Sequence, residues 1–307
     1  MRIFALPPRE NWICDRFVNE WNDNNLKTYT NHPDNADIIW LLADWCWNQI
    51  PKNYLENKKV CASVHHLVPE KFGWEEMKEW VERDKFIDFY HVPCEKTRDQ
   101  IKNITKKPIY TFPFWTNSKM WQKEDKTTSR KTLRLPQDKF IIGSFQRDTE
   151  GNDLISPKLE KGPDLLADKI IEIHKKQEKE IHVLLGGWRR QYIINRLEKE
   201  NVPFTYIQLP NNQILNTMYN SLDLYMVTAR YEGGPQAIVE CGLTKTPIIS
   251  TNVGLAPELM SKKSVRDFKL LEQAVPDVEH LYENCLKISI ENKGMDPFRE
   301  MFKKELK

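Results

Sequence analysis

An apolar run at 222–227 (LDLYMV) gives way within a few residues to YEGGPQAIVECG at 231–242, and that order fixes a local architecture. Continuous apolar residues of this length read as a buried strand. Gly233 and Gly234 break the run, and Pro235 suits a first helical position because its φ is preset and its missing N–H is not needed there. Gln236 to Cys241 then continue as a helix. A strand, a glycine turn and a helix start without a bulky side chain expose backbone N–H groups at the positive end of a helix dipole. Such a place suits a phosphate or another anionic group.

The same alternation runs along the whole chain and implies parallel sheets. Strands are predicted at 2–6, 38–42, 60–64 and 89–92, with helices at 11–24, 74–81 and 96–104. A charged stretch at 119–135, with Thr127, Thr128 and Ser129 in its middle, reads as a linker. A second block follows, with strands at 140–145, 181–185, 204–207, 224–227 and 247–250 and helices at 165–173, 192–200 and 214–220. A length of 307 residues divides naturally into two compact domains.

Two carboxylates frame the glycine turn. Glu232 lies in the turn itself and Glu240 lies two helical turns later, roughly 7–8 Å along the axis at ~1.5 Å per residue. Carboxylates accept from sugar hydroxyls. A ligand with hydroxyls at both ends and phosphate between them is a nucleotide sugar.

Glu232 and Glu240 within EGGPQAIVE make the chain resemble the family-four retaining glycosyltransferases of GT-B fold, with a shortened N-terminal domain. The loop at 251–258 (TNVGLAPE) is similar to that family's next loop, although Leu255 stands where a second glycine is usual. The resemblance implies two Rossmann-like, doubly wound α/β domains facing across a cleft. These are an acceptor-side domain at 1–118, the linker at 119–135, a donor domain at 136–292 and a final helix at 293–307 that crosses back to the first domain. Phe298, Met301 and Phe302 give that helix one apolar face. In the family, an arginine just after the first strand of the donor domain and a lysine just before a helix-starting glycine hold the donor diphosphate; Arg147 and Lys161 match, with Lys158 a rival. Gly143, Gly233, Gly234, Pro235 and Glu240 join the implied donor-binding set, and Glu232 positions sugar hydroxyls. His65 ends VCASVHH as the family's sugar-facing histidine does, with His66 beside it. Pro7 and Pro8 replace the glycines that follow the first strand in many relatives.

The activity implied is metal-independent transfer of a sugar from a nucleotide-diphosphate donor to a hydroxyl of a glycan or glycoconjugate, with retained configuration. The donor is a co-substrate and no cofactor is expected. A cationic pair stabilises a departing diphosphate by itself, and no Asp-x-Asp pair near a strand end suggests a metal site. A nucleotide-sugar epimerase and a catalytically idle nucleotide-sugar-binding scaffold are the alternatives. A formal charge of +2 without a Lys/Arg stripe argues against a nucleic-acid partner, including a DNA-modifying role. No apolar stretch reaches the ~20 residues of a membrane span, and peripheral membrane contact stays open. The first residues read as a strand rather than a signal peptide. Six cysteines without paired spacing suggest a reducing, cytoplasmic setting without disulfides or zinc. Tryptophan crowds the first half. Trp12, Trp21 and Trp40 are expected in its core, and Trp45, Trp47 or Trp115 could line a sugar site.

Overall fold

The computed structural model describes residues 1–10, 13–151 and 153–307; the expected helix start at Asn11 and the core position of Trp12 lie outside them. The chain divides into two units, residues 1–114 with 295–307, and residues 115–294.

The first unit alternates β1 (Ile3–Leu6), α1 (Ile13–Asn24), β2 (Ile38–Leu41), α2 (Lys52–Asn57), β3 (Lys59–Ser63), α3 (Trp74–Asp84), β4 (Phe89–Val92), α4 (Glu95–Ile101) and β5 (Ile109–Thr111). Its five strands are parallel and lie in the order β1-β2-β3-β4-β5. The order is sequential, so this sheet lacks the reversal of a doubly wound sheet. Side-chain alternation along each strand separates two cores. Ile39, Leu41, Val60, Ala62, Tyr90 and Val92 face Leu55, Trp80 and Ile101 from α2, α3 and α4. On the opposite face Trp40 packs edge-on against Trp21 of α1, with ring centroids 5.5 Å apart. A polar chain is sealed into this unit: the Trp40 indole N–H donates to Ser63 Oγ (2.9 Å), Ser63 lies 3.0 Å from His91 Nδ1, and His91 Nε2 lies 2.9 Å from the Phe112 carbonyl. Burial drives the His91 pKa down to about 3, so the ring is neutral.

The second unit contains α5 (Lys126–Thr132), β6 (Phe140–Ser144), α6 (Pro163–Lys176), β7 (Ile181–Gly187), α7 (Gln191–Lys199), β8 (Phe204–Gln208), α8 (Asn212–Asn220), β9 (Leu224–Val227), α9 (Gln236–Thr244), β10 (Ile248–Thr251), α10 (Ala256–Leu259), β11 (Val265–Arg266) and α11 (Val278–Lys287). Its sheet runs β11-β10-β9-β6-β7-β8, all parallel. From β6 the chain winds outward through β7 and β8, then returns to build β9, β10 and β11 on the other side. That reversal creates a switch point between β6 and β9, where the first loops of the two halves diverge.

The stretch at 119–135, read above as a linker, lies inside this unit and carries α5. Asp125 caps that helix by accepting from the Thr128 N–H, and buried Arg130 donates to the Ser221 carbonyl and the Asp223 carboxylate. The final helix, α12 (Asp296–Glu305), belongs to the first unit. Phe298, Met301 and Phe302 are buried, and Trp21, Trp40 and Phe89 pack around the two phenylalanines.

Candidate active site

The carboxyl ends of β6 and β9 carry the residues singled out by the sequence. After β6 the chain runs through Phe145, whose N–H donates to the buried Tyr225 hydroxyl of β9 (2.9 Å), and then through Gln146 and Arg147. Gln146 Nε2 donates to the Lys161 carbonyl oxygen at 2.6 Å. Lys161 closes a short 3-10 turn before Gly162, which caps α6 with φ +64°. A Cβ on Gly162 would stand 1.9 Å from the Thr228 carbonyl oxygen, so only glycine lets the start of α6 approach the end of β9. Thr228 returns a hydrogen bond from Oγ1 to the Gly162 carbonyl (2.9 Å).

The turn after β9 is locked to the same place. The N–H groups of Arg230 and Tyr231 donate to the Glu160 carbonyl (2.8 and 3.1 Å). The Arg230 guanidinium grips Asp164 in the first turn of α6 through both terminal nitrogens (2.8 and 2.6 Å). Lys161 Nζ donates to the Glu232 carboxylate, and both side chains are mostly buried. The rival Lys158 instead pairs with Glu160 at 3.1 Å. Arg147 Nε donates to the Thr149 carbonyl of its own loop at 2.8 Å. Arg147 and Lys161, at the two ends of the β6–α6 connection, and Glu232, in the β9–α9 turn, thus stand on two connections that are bonded to one another within the second unit.

Beyond Glu232 the backbone is shaped by Gly254, whose φ is +47° and whose Cβ would meet the Gly233 carbonyl oxygen at 2.3 Å. The Leu255 N–H donates to that carbonyl (2.9 Å), so the loop keeps its glycine where contact demands one and tolerates Leu255 in place of the second. Pro235 stands at the N-cap of α9 rather than at its first helical position, with ψ 112°. Glu240 is buried, and its Oε2 accepts from the Tyr219 hydroxyl at 2.7 Å. Burial, reinforced by the Glu240 charge, holds the Tyr219 pKa well above its ordinary value and keeps that hydroxyl a donor.

Gly143 calls for a different reading from the expected donor contact. It sits mid-strand in β6, where a Cβ would lie 2.3 Å from a Leu222 methyl, and packing accounts for the glycine. In the first unit, His65 Nε2 lies 2.9 Å from the Leu42 carbonyl, and its ring stacks on Phe114 with centroids 5.5 Å apart. Trp45, 45% exposed, has its ring 5.7 Å from that of His65. Trp115 is buried in the second unit, and Trp47 stacks on Phe86 with its N–H 3.4 Å from Glu79. Of the three tryptophans suggested for a sugar site, Trp45 is the most exposed.

Arg190, Asp148, Tyr219 and Arg230 carry no motif that singles them out in the sequence. Arg190 follows Gly186, Gly187, Trp188 and Arg189 at the end of an apolar strand, and a paired arginine reads as surface charge. The structure buries it completely. All six cysteines are free and buried. Among the described residues, no helix is long and apolar enough to cross a membrane.

No curated protein matches the sequence. Solved structures align over nearly the whole chain. HepE of Anabaena in complex with UDP-glucose matches with a TM-score of 0.76 at 11% identity, covering 98% of this chain and 99% of that one. Sucrose-phosphate synthase of Thermosynechococcus elongatus matches with a TM-score of 0.65 at 16% identity, covering 97% of this chain and 80% of that one. A glycosyltransferase from Rickettsia africae gives 0.64 at 12% identity over 98% of each chain. At these identities the likeness establishes the fold: two parallel sheets with interleaved helices, matching GT-B glycosyltransferase structures. Residues 154–289, less than half of the chain but including Lys161, Glu232 and Glu240, match the family of glycosyl transferases group 1.

Proposed function

We propose that the chain is a retaining glycosyltransferase that moves a sugar from a nucleotide-diphosphate donor to a hydroxyl of a glycan or glycoconjugate, without a metal. The observation that carries this reading is the joining of the β6–α6 and β9–α9 connections at the β6–β9 switch point. Gln146 bonds to the Lys161 carbonyl, Lys161 pairs with Glu232, and Arg147 follows Gln146. In open α/β sheets, ligands bind outside the carboxyl ends of the strands at such a point. The HepE structures hold UDP, or UDP-glucose, on a similar fold, so a uridine diphosphate sugar is the donor to try first.

In this reading Arg147 and Lys161 hold the diphosphate, and the donor phosphate competes with Glu232 for the Lys161 ammonium. Glu232 and the N–H groups of Gly233 and Gly234 position sugar hydroxyls. Glu240, fixed by Tyr219, accepts from the ribose. As the bond from the anomeric carbon to phosphate oxygen breaks, its electron pair goes to the diphosphate, where fixed cations in a poorly solvated site stabilise it. The acceptor oxygen bonds to the same face of that carbon and gives its proton to the departing phosphate oxygen. In the first unit, His65 and the half-exposed Trp45 serve sugar recognition, since aromatic rings stack on sugar rings.

Incubation with UDP-glucose and a panel of other nucleotide sugars tests the reading. Free nucleotide and a product with the donor's anomeric configuration are expected. A sugar epimerised while still on its nucleotide would establish an epimerase. Nucleotide binding with no turnover of any donor would establish an idle scaffold.

A further inference from the structure

Arg190 has no part in the proposed chemistry, yet all three nitrogens of its guanidinium are engaged. It is fully buried at the carboxyl ends of β6 and β7. Its Nη1 donates to the Ser144 carbonyl (2.6 Å) and the Gly186 carbonyl (2.8 Å), Nη2 to Ser144 Oγ (3.2 Å), and Nε to Asp148 Oδ2 (3.1 Å). One guanidinium therefore ties the last residue of β6 to the end of β7 and to the loop that carries Arg147. Burying a charge this deeply is expensive, and an apolar pair of the same volume often stabilises a fold as well or better. Stability alone therefore gives little reason for the pair.

The surroundings indicate what it fixes. Arg147 stands between two clamped neighbours, with Gln146 bonded to the Lys161 carbonyl on one side and Asp148 bonded to Arg190 on the other. The Asp148 N–H donates to the Arg189 carbonyl (3.1 Å), its carbonyl accepts from the Lys158 N–H (2.8 Å), and Thr149 Oγ1 donates to the Arg189 carbonyl (3.2 Å). Asp148 Oδ1 is buried without a hydrogen-bond partner. A buried carboxylate left half satisfied is a cost that the fold carries here.

We propose that the buried Arg190–Asp148 pair is a positioning device for Arg147: it holds the loop after β6 so that the Arg147 guanidinium meets the donor diphosphate without reorganising. The proposal rests on the reading of Arg147 as a diphosphate ligand. Preorganisation of this kind needs the residues behind a ligand to be locked in place, and a loop held by only one neighbour would let the guanidinium wander. Arg190 touches neither donor nor acceptor in this scheme and acts through Arg147.

The test separates positioning from plain stability. Arg190→Met alone strands a buried carboxylate and can simply unfold the protein. The decisive variant is therefore the double substitution Asp148→Leu/Arg190→Met, which removes both charges together. Melting temperature, UDP-glucose turnover, and UDP affinity by calorimetry are measured for it, for Arg147→Ala, and for the triple variant. The double variant is expected to stay folded with a lowered melting temperature, because the Ser144 and Gly186 carbonyls lose a donor, while its turnover well below that temperature falls about tenfold or more. In the Arg147→Ala background the same pair of changes should cost no further activity, because residues acting as a unit are not additive. Wild-type turnover in the folded double variant overturns the proposal, and so does a loss that multiplies fully with that of Arg147→Ala. Full activity in Arg147→Ala itself overturns the reading of Arg147, and the proposal with it.

Discussion

Lys161 and Glu232 neutralise one another where a diphosphate is expected, and this makes their substitutions informative in different ways. Lys161→Ala removes a fixed cation from the leaving group and should lower kcat by about 10²–10³-fold, as loss of one preorganised donor of ~3–4 kcal/mol does. EDTA should leave wild-type turnover unchanged. An enzyme silenced by chelator and revived by manganese would show a metal carrying that charge instead. Glu240 calls for a gentler change, because Glu240→Ala would also leave the buried Tyr219 hydroxyl unpaired. Glu240→Gln keeps an acceptor for Tyr219 and removes the charge; UDP affinity should fall about tenfold, or ~1.4 kcal/mol, with little change in melting temperature. Equal affinity in both proteins would remove Glu240 from the donor site. His91 sets a pH limit. Its folded pKa of about 3 lies below the ordinary 6.5, so between those values the unfolded chain binds the extra proton and stability is lost as pH falls. The loss approaches about 1.4 kcal/mol per pH unit at most. Urea unfolding at pH 7 and pH 4.5 should show a smaller acid loss in His91→Gln than in the wild type; identical slopes would clear His91 of the effect.

Gly162 concentrates what the elements of the second unit demand of one another. The first turn of α6 abuts the end of β9 so closely that Gly162→Ala sets a Cβ against the Thr228 carbonyl at a φ of +64°. The strain should cost at least about 2 kcal/mol, and because Lys161 and Asp164 flank the same turn, UDP affinity should fall with it. A variant as stable as the wild type would mean that the junction has room to shift. The sequence made some of these elements legible and hid others. Apolar runs at β6, β7 and β9 announce buried parallel strands, because both faces are covered and no polar alternation interrupts them. The same covering makes the switch point readable, since its two loops carry the glycines and charges. Helix α5 could not be read, because KTTSRKT has no apolar stripe and its Thr and Ser residues favour other conformations; the Asp125 cap and the burial of Arg130 against Asp223 make it a helix. The sequential order of the first sheet was equally hidden, as nothing in a strand's own residues states which neighbour it takes. The burial of Glu240 and Arg190 lay beyond the motifs because their partners, Tyr219 and Asp148, are distant in sequence.

At the scale of the molecule, the first unit is discontinuous: its aromatic core is completed by Phe298 and Phe302 from the end of the chain. Shortening the chain to end at Gly294 therefore takes away two fully buried rings, each worth about 3–5 kcal/mol to its core. The expected result is a red-shifted tryptophan emission from the exposed Trp21 and Trp40, with UDP binding retained by the second unit. Unchanged emission would show that the first unit stands without its last helix, and lost UDP binding that the second does not stand alone.

That arrangement also sets a timetable for synthesis. On the ribosome, the residues facing Phe298 and Phe302 emerge well before the helix that covers them, Asp296–Glu305. At about 5–20 residues per second, Trp21 and Trp40 wait on the order of ten to forty seconds after the first sheet is complete. The second unit is continuous in sequence and meets no such delay. The newborn chain therefore carries an uncovered aromatic face throughout that interval.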